Sequence, residues 1–262
     1  MVRVGRCQLL TASSVDSFVG RTLRACGGEP AGGPATTQIR NVCFINEVYW
    51  VRVTGVDFVH PVEAVIPGAQ GRVLAVLAET TAELNLRTVA RLASVSVAQV
   101  SRVMPELVGL GLIDRREVPP ASLFRLNREH VAARAVVELA RSRDIAFERI
   151  GAAAEEMRVR PVSVIVFGSF ARGEADGESD IDVVLVRPSD VPEDDDQWSA
   201  AVEHWRDRVR LITGNRVEVL DVGRSEVINK LAGKASLWKD VVRDGVVVHG
   251  AALDDLGEVA RA

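Results

Sequence analysis

The chain has 262 residues, 47% of them apolar, enough for two modest hydrophobic cores. Lys and Arg (32) nearly balance Asp and Glu (36), for a net charge of -4 at pH 7; no global field selects a polyanionic partner, and any nucleic-acid contact must be local. The odd set Cys7, Cys26 and Cys43 excludes a disulfide framework for the rest of the chain and fits a reducing, cytoplasmic setting. Residues 7–10 are too short for a signal-peptide core, and no run approaches the roughly 20 apolar residues of a membrane span.

Residues 1–54 differ in composition from the rest of the chain. A patch rich in Gly and Pro, residues 27–34, separates two short apolar segments. The second, Val42 to Val53, is aromatic and β-branched and reads as a strand or hairpin arm. The whole stretch is expected as a loosely ordered extension.

From Gly68 three apolar stripes run at helical spacing: Val73, Leu74, Val76 and Leu77; Leu86, Val89, Ala90 and Leu92; Val97, Val100, Val103, Met104 and Leu107. Two strand-like runs, 112–116 and 122–126, flank Val118-Pro119-Pro120-Ala121 as a hairpin. Three helices and a hairpin make the winged helix-turn-helix plan, in which the third helix enters the major groove and the wing touches phosphate. Its outward residues would be Ser96, Gln99, Ser101 and Arg102, with Ser96 also a helix cap and Arg102 suited to guanine; Arg115 and Arg116 lie on the wing. Pro105 is expected to kink or restart the third helix, because its ring clashes with the carbonyl of Ser101.

His130 to Met157 is rich in Ala, Arg and Glu and is expected to be one long helix. After Pro161 the pattern becomes a strand (162–167), a Gly-Ser turn, a short helix, a strand from Asp180 to Val186, a helix over 197–212, a strand over 216–222, helices over 224–231 and 235–242, and a closing strand at 246–249. Trp198, Trp205 and Trp238 fall at helical core positions, whereas Asp176, Glu178 and the acidic run 193–196 read as solvated loop charge.

The chemistry concentrates in Phe167-Gly168-Ser169-Phe170-Ala171-Arg172-Gly173-Glu174 and Ser179-Asp180-Ile181-Asp182-Val183-Val184-Leu185. Glycine at a strand-to-helix turn permits close backbone approach to a ligand, and Ser169 adds a hydroxyl where helix-start amides converge, a setting suited to polyphosphate. Asp180 and Asp182, two apart on a strand, project from one face about 6–7 Å apart while Ile181 points inward, and hard Mg2+ prefers such carboxylates together with phosphate oxygens. A third carboxylate is expected on a neighbouring strand. Glu218 is preferred to Asp221, since alternation puts these two on opposite faces and Glu218 is mid-strand. Arg172 reads either as a triphosphate contact or as an exposed helix residue.

Gly168-Ser169, ten intervening residues and Asp180-Ile181-Asp182 on an apolar strand resemble the signature of the DNA polymerase beta-like nucleotidyltransferase superfamily, and Gly-Ser-Phe-Ala-Arg-Gly-Glu-Ala resembles its minimal branch. The resemblance implies transfer of a nucleoside monophosphate from an NTP with two Mg2+ ions, Gly168 and Ser169 holding the triphosphate, Asp180 and Asp182 the metal, and Glu218 the third position, where Asp is more usual. It leaves the acceptor open among a protein, an RNA end and a small molecule. The helical region is similar to winged helix-turn-helix regulators of the MarR type, which implies double-stranded DNA as a partner and a homodimer as the default assembly. The expected architecture is α+β: an extension at 1–54, a winged helix-turn-helix domain at 55–128, a long linker helix at 129–160, a small nucleotidyltransferase domain with a mixed β-sheet flanked by helices at 161–250, and a tail at 251–262. The alternative is a transcription regulator or antitoxin-type protein whose nucleotidyltransferase domain senses nucleotide without turnover.

Overall fold

The structure is a computed structural model, and it describes residues 39–44, 47–52, 55–233 and 235–258. Two units divide it, Met1–Arg52 and Val53–Ala262. In the first, β1 (Ile39–Phe44) and β2 (Glu47–Arg52) pair antiparallel from Ile39 opposite Arg52 to Phe44 opposite Glu47, so the run expected as a single arm supplies parts of both strands of a hairpin. The patch at 27–34, Cys7 and Cys26 lie outside the described residues.

The second unit opens with α1 (Pro61–Val65), where proline at the first helical turn gives up no hydrogen bond. It continues through α2 (Ala69–Ala78), β3 (Leu84–Asn85), α3 (Leu86–Leu92), α4 (Val97–Gly109), β4 (Ile113–Val118) and β5 (Ala121–Leu126). Asn85 starts α3 by accepting the Thr88 N–H at 2.9 Å. The strands form an antiparallel sheet in the order β3-β5-β4. Val73, Leu77, Val89, Val100, Leu107, Ile113 and Phe124 are buried together between the helices and this sheet.

The third helix does not restart at Pro105: α4 continues through it. The proline leaves the Ser101 carbonyl without a helical donor, but both residues are exposed, so water can serve it. On the other face Val100, Met104 and Leu107 are buried and hold the two halves of the helix to one core.

The long linker helix is also corrected. Residues 129–160 contain two helices, α5 (Ala133–Ala140) and α6 (Ser142–Glu155), separated at Arg141 with φ -95° and ψ 17°. The Ser142 hydroxyl donates to the Leu139 carbonyl at 2.5 Å across the break. Burial explains the division. Ala133 and Val136 of α5 belong to the core beneath the β3-β5-β4 sheet, whereas Ala146, Ile150, Ala153 and Ala154 of α6 belong to a second core.

That second core surrounds a mixed sheet of order β8-β7-β6-β9. Strand β6 (Ser163–Phe167) pairs antiparallel with β7 (Ile181–Arg187) and with β9 (Val246–Gly250), and β7 pairs parallel with β8 (Val217–Gly223). The parallel connection is made by α8 (Asp196–Thr213), capped by Asp195, whose carboxylate accepts the Trp198 N–H at 2.7 Å; this acid of the run 193–196 therefore has a structural task. Helices cover both faces, which is why β6 and β7 are continuous apolar runs. Val164, Val166, Ile181, Val183 and Leu185 pack with α6 and α8, including Trp198 and Trp205. Ile165, Phe167, Val184, Val186 and Val222 pack with α9 (Arg224–Leu231) and α10 (Ser236–Asp244), including Trp238. The three tryptophans are buried, as their spacing implies. Helix α11 (Leu253–Glu258) comes after β9 and buries Leu256 on the same side. Among the described residues no helix is long and apolar enough to cross a membrane.

One segment lies in a different core from the one its sequence position suggests. Residues 55–58, expected within the first helical domain, run as a strap along the second. The amides of Gly55, Val56 and Phe58 donate to the carbonyls of Gly177 (2.7 Å), Thr213 (3.1 Å) and Ala175 (3.0 Å), and Phe58 is buried in the core of the mixed sheet.

Candidate active site

The site begins where β6 turns into α7 (Gly168–Arg172). Gly168 has φ +73°, and a Cβ there would overlap the Asp182 carboxylate, so the turn requires glycine both for its backbone and for the space next to Asp182. Phe170 is fully buried and fixes the short helix from below, edge-on to Phe58 (centroids 4.8 Å, 85°) and to Phe147 (5.0 Å, 80°). Gly173, φ +75°, ends it. Ser169 is thereby held half-buried at the mouth of the turn.

Asp182 in β7 is paired in register with Phe167 of β6 on one side and Glu218 of β8 on the other. Strand alternation puts Asp182 on the face of Val184 and Val186, and Glu218 on the face of Leu220 and Val222, all four of which pack on the side of α9 and α10. The two acids therefore extend that apolar face towards the Gly168 turn. Asp180 lies one residue before β7, where the Ile181 N–H donates to the Arg216 carbonyl at 2.8 Å. Its loop is closed by Asp176, which accepts the Ser179 hydroxyl (2.8 Å) and the Glu178 N–H (3.0 Å), a local task for a residue expected to be free loop charge.

Charge and burial act together here. Partial burial raises the pKa of Asp182 above the ordinary carboxylate range, the charges of Asp180 and Glu218 raise it further, and Arg172 opposes them. Three carboxylates thus share one end of two neighbouring strands and repel one another. Among the described residues no three acidic, His or Cys side chains already stand close enough to hold an ion. The donor set nevertheless fits a hard divalent cation, which would relieve the repulsion that burial has intensified.

Two cations border the acids. Arg172 donates to Glu174 at 2.7 Å and to Asp244 at 3.1 Å, so it is occupied by acids on its own rim. Asp244 in turn is held down to about 2, first by Arg243 and then by Arg172. The other cation, Arg216, is not among the residues expected from the sequence. It donates to Glu218 at 2.9 Å and lies 3.7 Å from Asp180. Its signal in the sequence is its position two residues before Glu218, which strand alternation puts on the same side. Asn215 is a second residue that sequence reasoning misses. This buried side chain accepts the Val56 N–H (3.0 Å) and donates to the carbonyls of Asp176 (3.2 Å) and Ser179 (2.9 Å), tying the Asp180 loop to β8 and to the strap. Asp221, the rival third acid, lies across the strand from Glu218 and accepts from Arg187 (2.6 Å) and from the Trp198 indole (2.8 Å).

On the helical part, the structure brings Ser96 and Gln99 together as a capping box. The Ser96 hydroxyl accepts the Gln99 N–H at 3.2 Å, and the Gln99 side chain accepts the Ser96 N–H at 2.9 Å. Ser101 and Arg102 are exposed on α4. On β4, Arg115 reaches Glu117 (3.0 Å) and Ser122 (3.3 Å), and Arg116 is forked onto Glu83.

Comparison with known proteins bears on the same stretch. Residues 150–241 match the family model of a nucleotidyltransferase domain, a match that begins inside α6. No curated protein matches the chain. Among solved structures, the chain is similar to a toxin-antitoxin crystallised with AMP-PNP, at 17% identity over 44% of this chain and 83% of that one, with a TM-score of 0.31. It is also similar to RV1404 from Mycobacterium tuberculosis, at 30% identity over 34% of this chain and 64% of that one, with a TM-score of 0.26.

Proposed function

Taking the nucleotidyltransferase domain over residues 150–241 as the premise, we propose that the protein transfers a nucleoside monophosphate from an NTP to an acceptor hydroxyl and releases pyrophosphate. The carrying observation is the in-register placement of Asp182 beside Glu218, against a turn at Gly168 that has no room for a side chain. Asp180, Asp182 and Glu218 would hold Mg2+, two ions in the full site, which supply charge neutralisation for the triphosphate and the leaving group. Ser169 and the amides at the start of α7 bind and orient the phosphates, and Arg172 flanks them. The Glu218 carboxylate receives the proton of the acceptor hydroxyl. Positioning and electrostatics account for most of the rate in such transfers. The acceptor is a protein, an RNA end or a small molecule.

The helical part, with α4 packed over the β3-β5-β4 sheet, is proposed as a winged helix-turn-helix module that binds duplex DNA. Ser101 and Arg102 on α4 are the base-reading pair, and Arg115 is the phosphate contact on the wing. Ser96, Gln99 and Arg116 serve it indirectly, by capping α4 and by bracing β4 against Glu83.

Incubating the purified protein with each labelled NTP and Mg2+ tests the enzymatic reading. Pyrophosphate release, or label transfer, should fall by more than about a hundredfold in Asp182→Ala. Nucleotide binding without turnover in the parent protein would establish the sensor reading instead.

A further inference from the structure

Arg216 is held by acids and hardly by packing. Its side chain is 68% exposed, yet the guanidinium reaches Oε1 of Glu218 at 2.9 Å and Oδ1 of Asp180 at 3.7 Å. These are two of the three carboxylates assigned to the ion, one just before β7 and the other in β8. A guanidinium is planar and carries its donors in a fork, so it can pair with two acids that a divalent ion would otherwise share. The neighbouring backbone holds it at that place. The Arg216 carbonyl accepts the Ile181 N–H between Asp180 and Asp182, which fixes Arg216 beside the start of β7, and Asn215, the preceding residue, is buried and hydrogen-bonded on three sides.

We propose that Arg216 is a built-in placeholder for the divalent ion: in the ion-free protein its guanidinium occupies Asp180 and Glu218, and ion binding displaces it. The inference rests on the reading of Asp180, Asp182 and Glu218 as an ion site. Displacement leaves a free guanidinium at the edge of the site, the group best suited to pair with the phosphates that accompany the ion.

The test is calorimetric titration of the full chain with Mn2+ alone, in nucleotide-free buffer, using Mn2+ as a reporter for oxygen-ligand sites. Removing a competing exposed ion pair should make Arg216→Ala bind Mn2+ about two- to fivefold more tightly than the parent. Arg216→Lys keeps the charge but loses the fork, and it should also bind more tightly than the parent, by a smaller factor. Unchanged or weaker binding in Arg216→Ala overturns the proposal. So does a lysine variant identical to the parent, since a general positive field and not occupation of the carboxylates would then be at work. Asp182→Ala separates the two levels of inference. If it loses Mn2+ binding while Arg216→Ala binds like the parent, only the placeholder fails; if it binds Mn2+ as well as the parent, the ion site itself is wrong.

Discussion

Gly168 and Gly173 bracket α7 with nearly the same left-handed backbone, φ +73° and +75°, but they face different neighbours. A methyl group at Gly168 would meet the Asp182 carboxylate, whereas one at Gly173 would meet the flexible end of Arg143. Both alanine variants should lose about 1–2 kcal/mol in urea melts from the backbone alone. Only Gly168→Ala should also impair divalent-ion and nucleotide binding; an unimpaired Gly168→Ala would mean that the contact with Asp182 is incidental. At this scale the sequence is informative where chemistry and period coincide. Ile181 and Asp182 can be read because neighbouring strand residues face opposite ways, one apolar and inward, whereas Asp180 falls one residue before β7 and outside that period. The choice of Glu218 over Asp221 rests on the same alternation, and the structure puts the two on opposite sides of β8. Arg216 and Asn215 are not legible, because what they do depends on which loop returns next to β8, a matter of tertiary path and not of local pattern.

Among the elements, α4 shows how one polar residue can be read in two ways. Ser96 and Gln99 are candidates for contacts to base edges by position, and they close a reciprocal cap on their own helix. Ser96→Ala should therefore lower stability by about 1 kcal/mol in thermal or urea melts and weaken any DNA binding only as far as α4 itself loosens. Arg102→Ala should leave stability unchanged and reduce DNA binding, with a shallower salt dependence. A Ser96→Ala variant of parental stability would remove the cap from the account. The strand and helix pattern of the mixed sheet is legible because its apolar runs are long and bounded by Gly and charge. Two elements depart from the expected pattern for the same reason. Local preference speaks for a break at Pro105 and for continuity at Arg141, whereas burial decides both: a continuous apolar stripe carries α4 through a proline, and a change of core partner stops a helix where no breaker residue stands.

For the molecule as a whole, the boundary between the two cores does not follow the order of the chain. The strap at 55–58 belongs to the mixed-sheet core and α5 to the helical one, so the chain touches the second core, builds the first and then returns. Phe58 carries the early contact, buried against Phe170. Phe58→Ala should cost about 3–5 kcal/mol. Because Phe170 anchors the Gly-Ser turn, the loss should appear also as weaker nucleotide binding at temperatures well below the melt. A variant that melts early but binds nucleotide normally would show that the turn does not depend on this ring pair.

The order in which the chain is made gives the strap a further meaning. On the ribosome, Phe58 and the amides of Gly55 and Val56 emerge well before Phe170, Ala175, Gly177 and Thr213, the groups that receive them. The helical module can close over its own residues while this short apolar lead waits, unsatisfied, for a sheet not yet synthesised. Translation therefore imposes an interval during which one aromatic ring and three backbone donors lack their full set of native partners, and only the arrival of Thr213, at the end of α8, closes it.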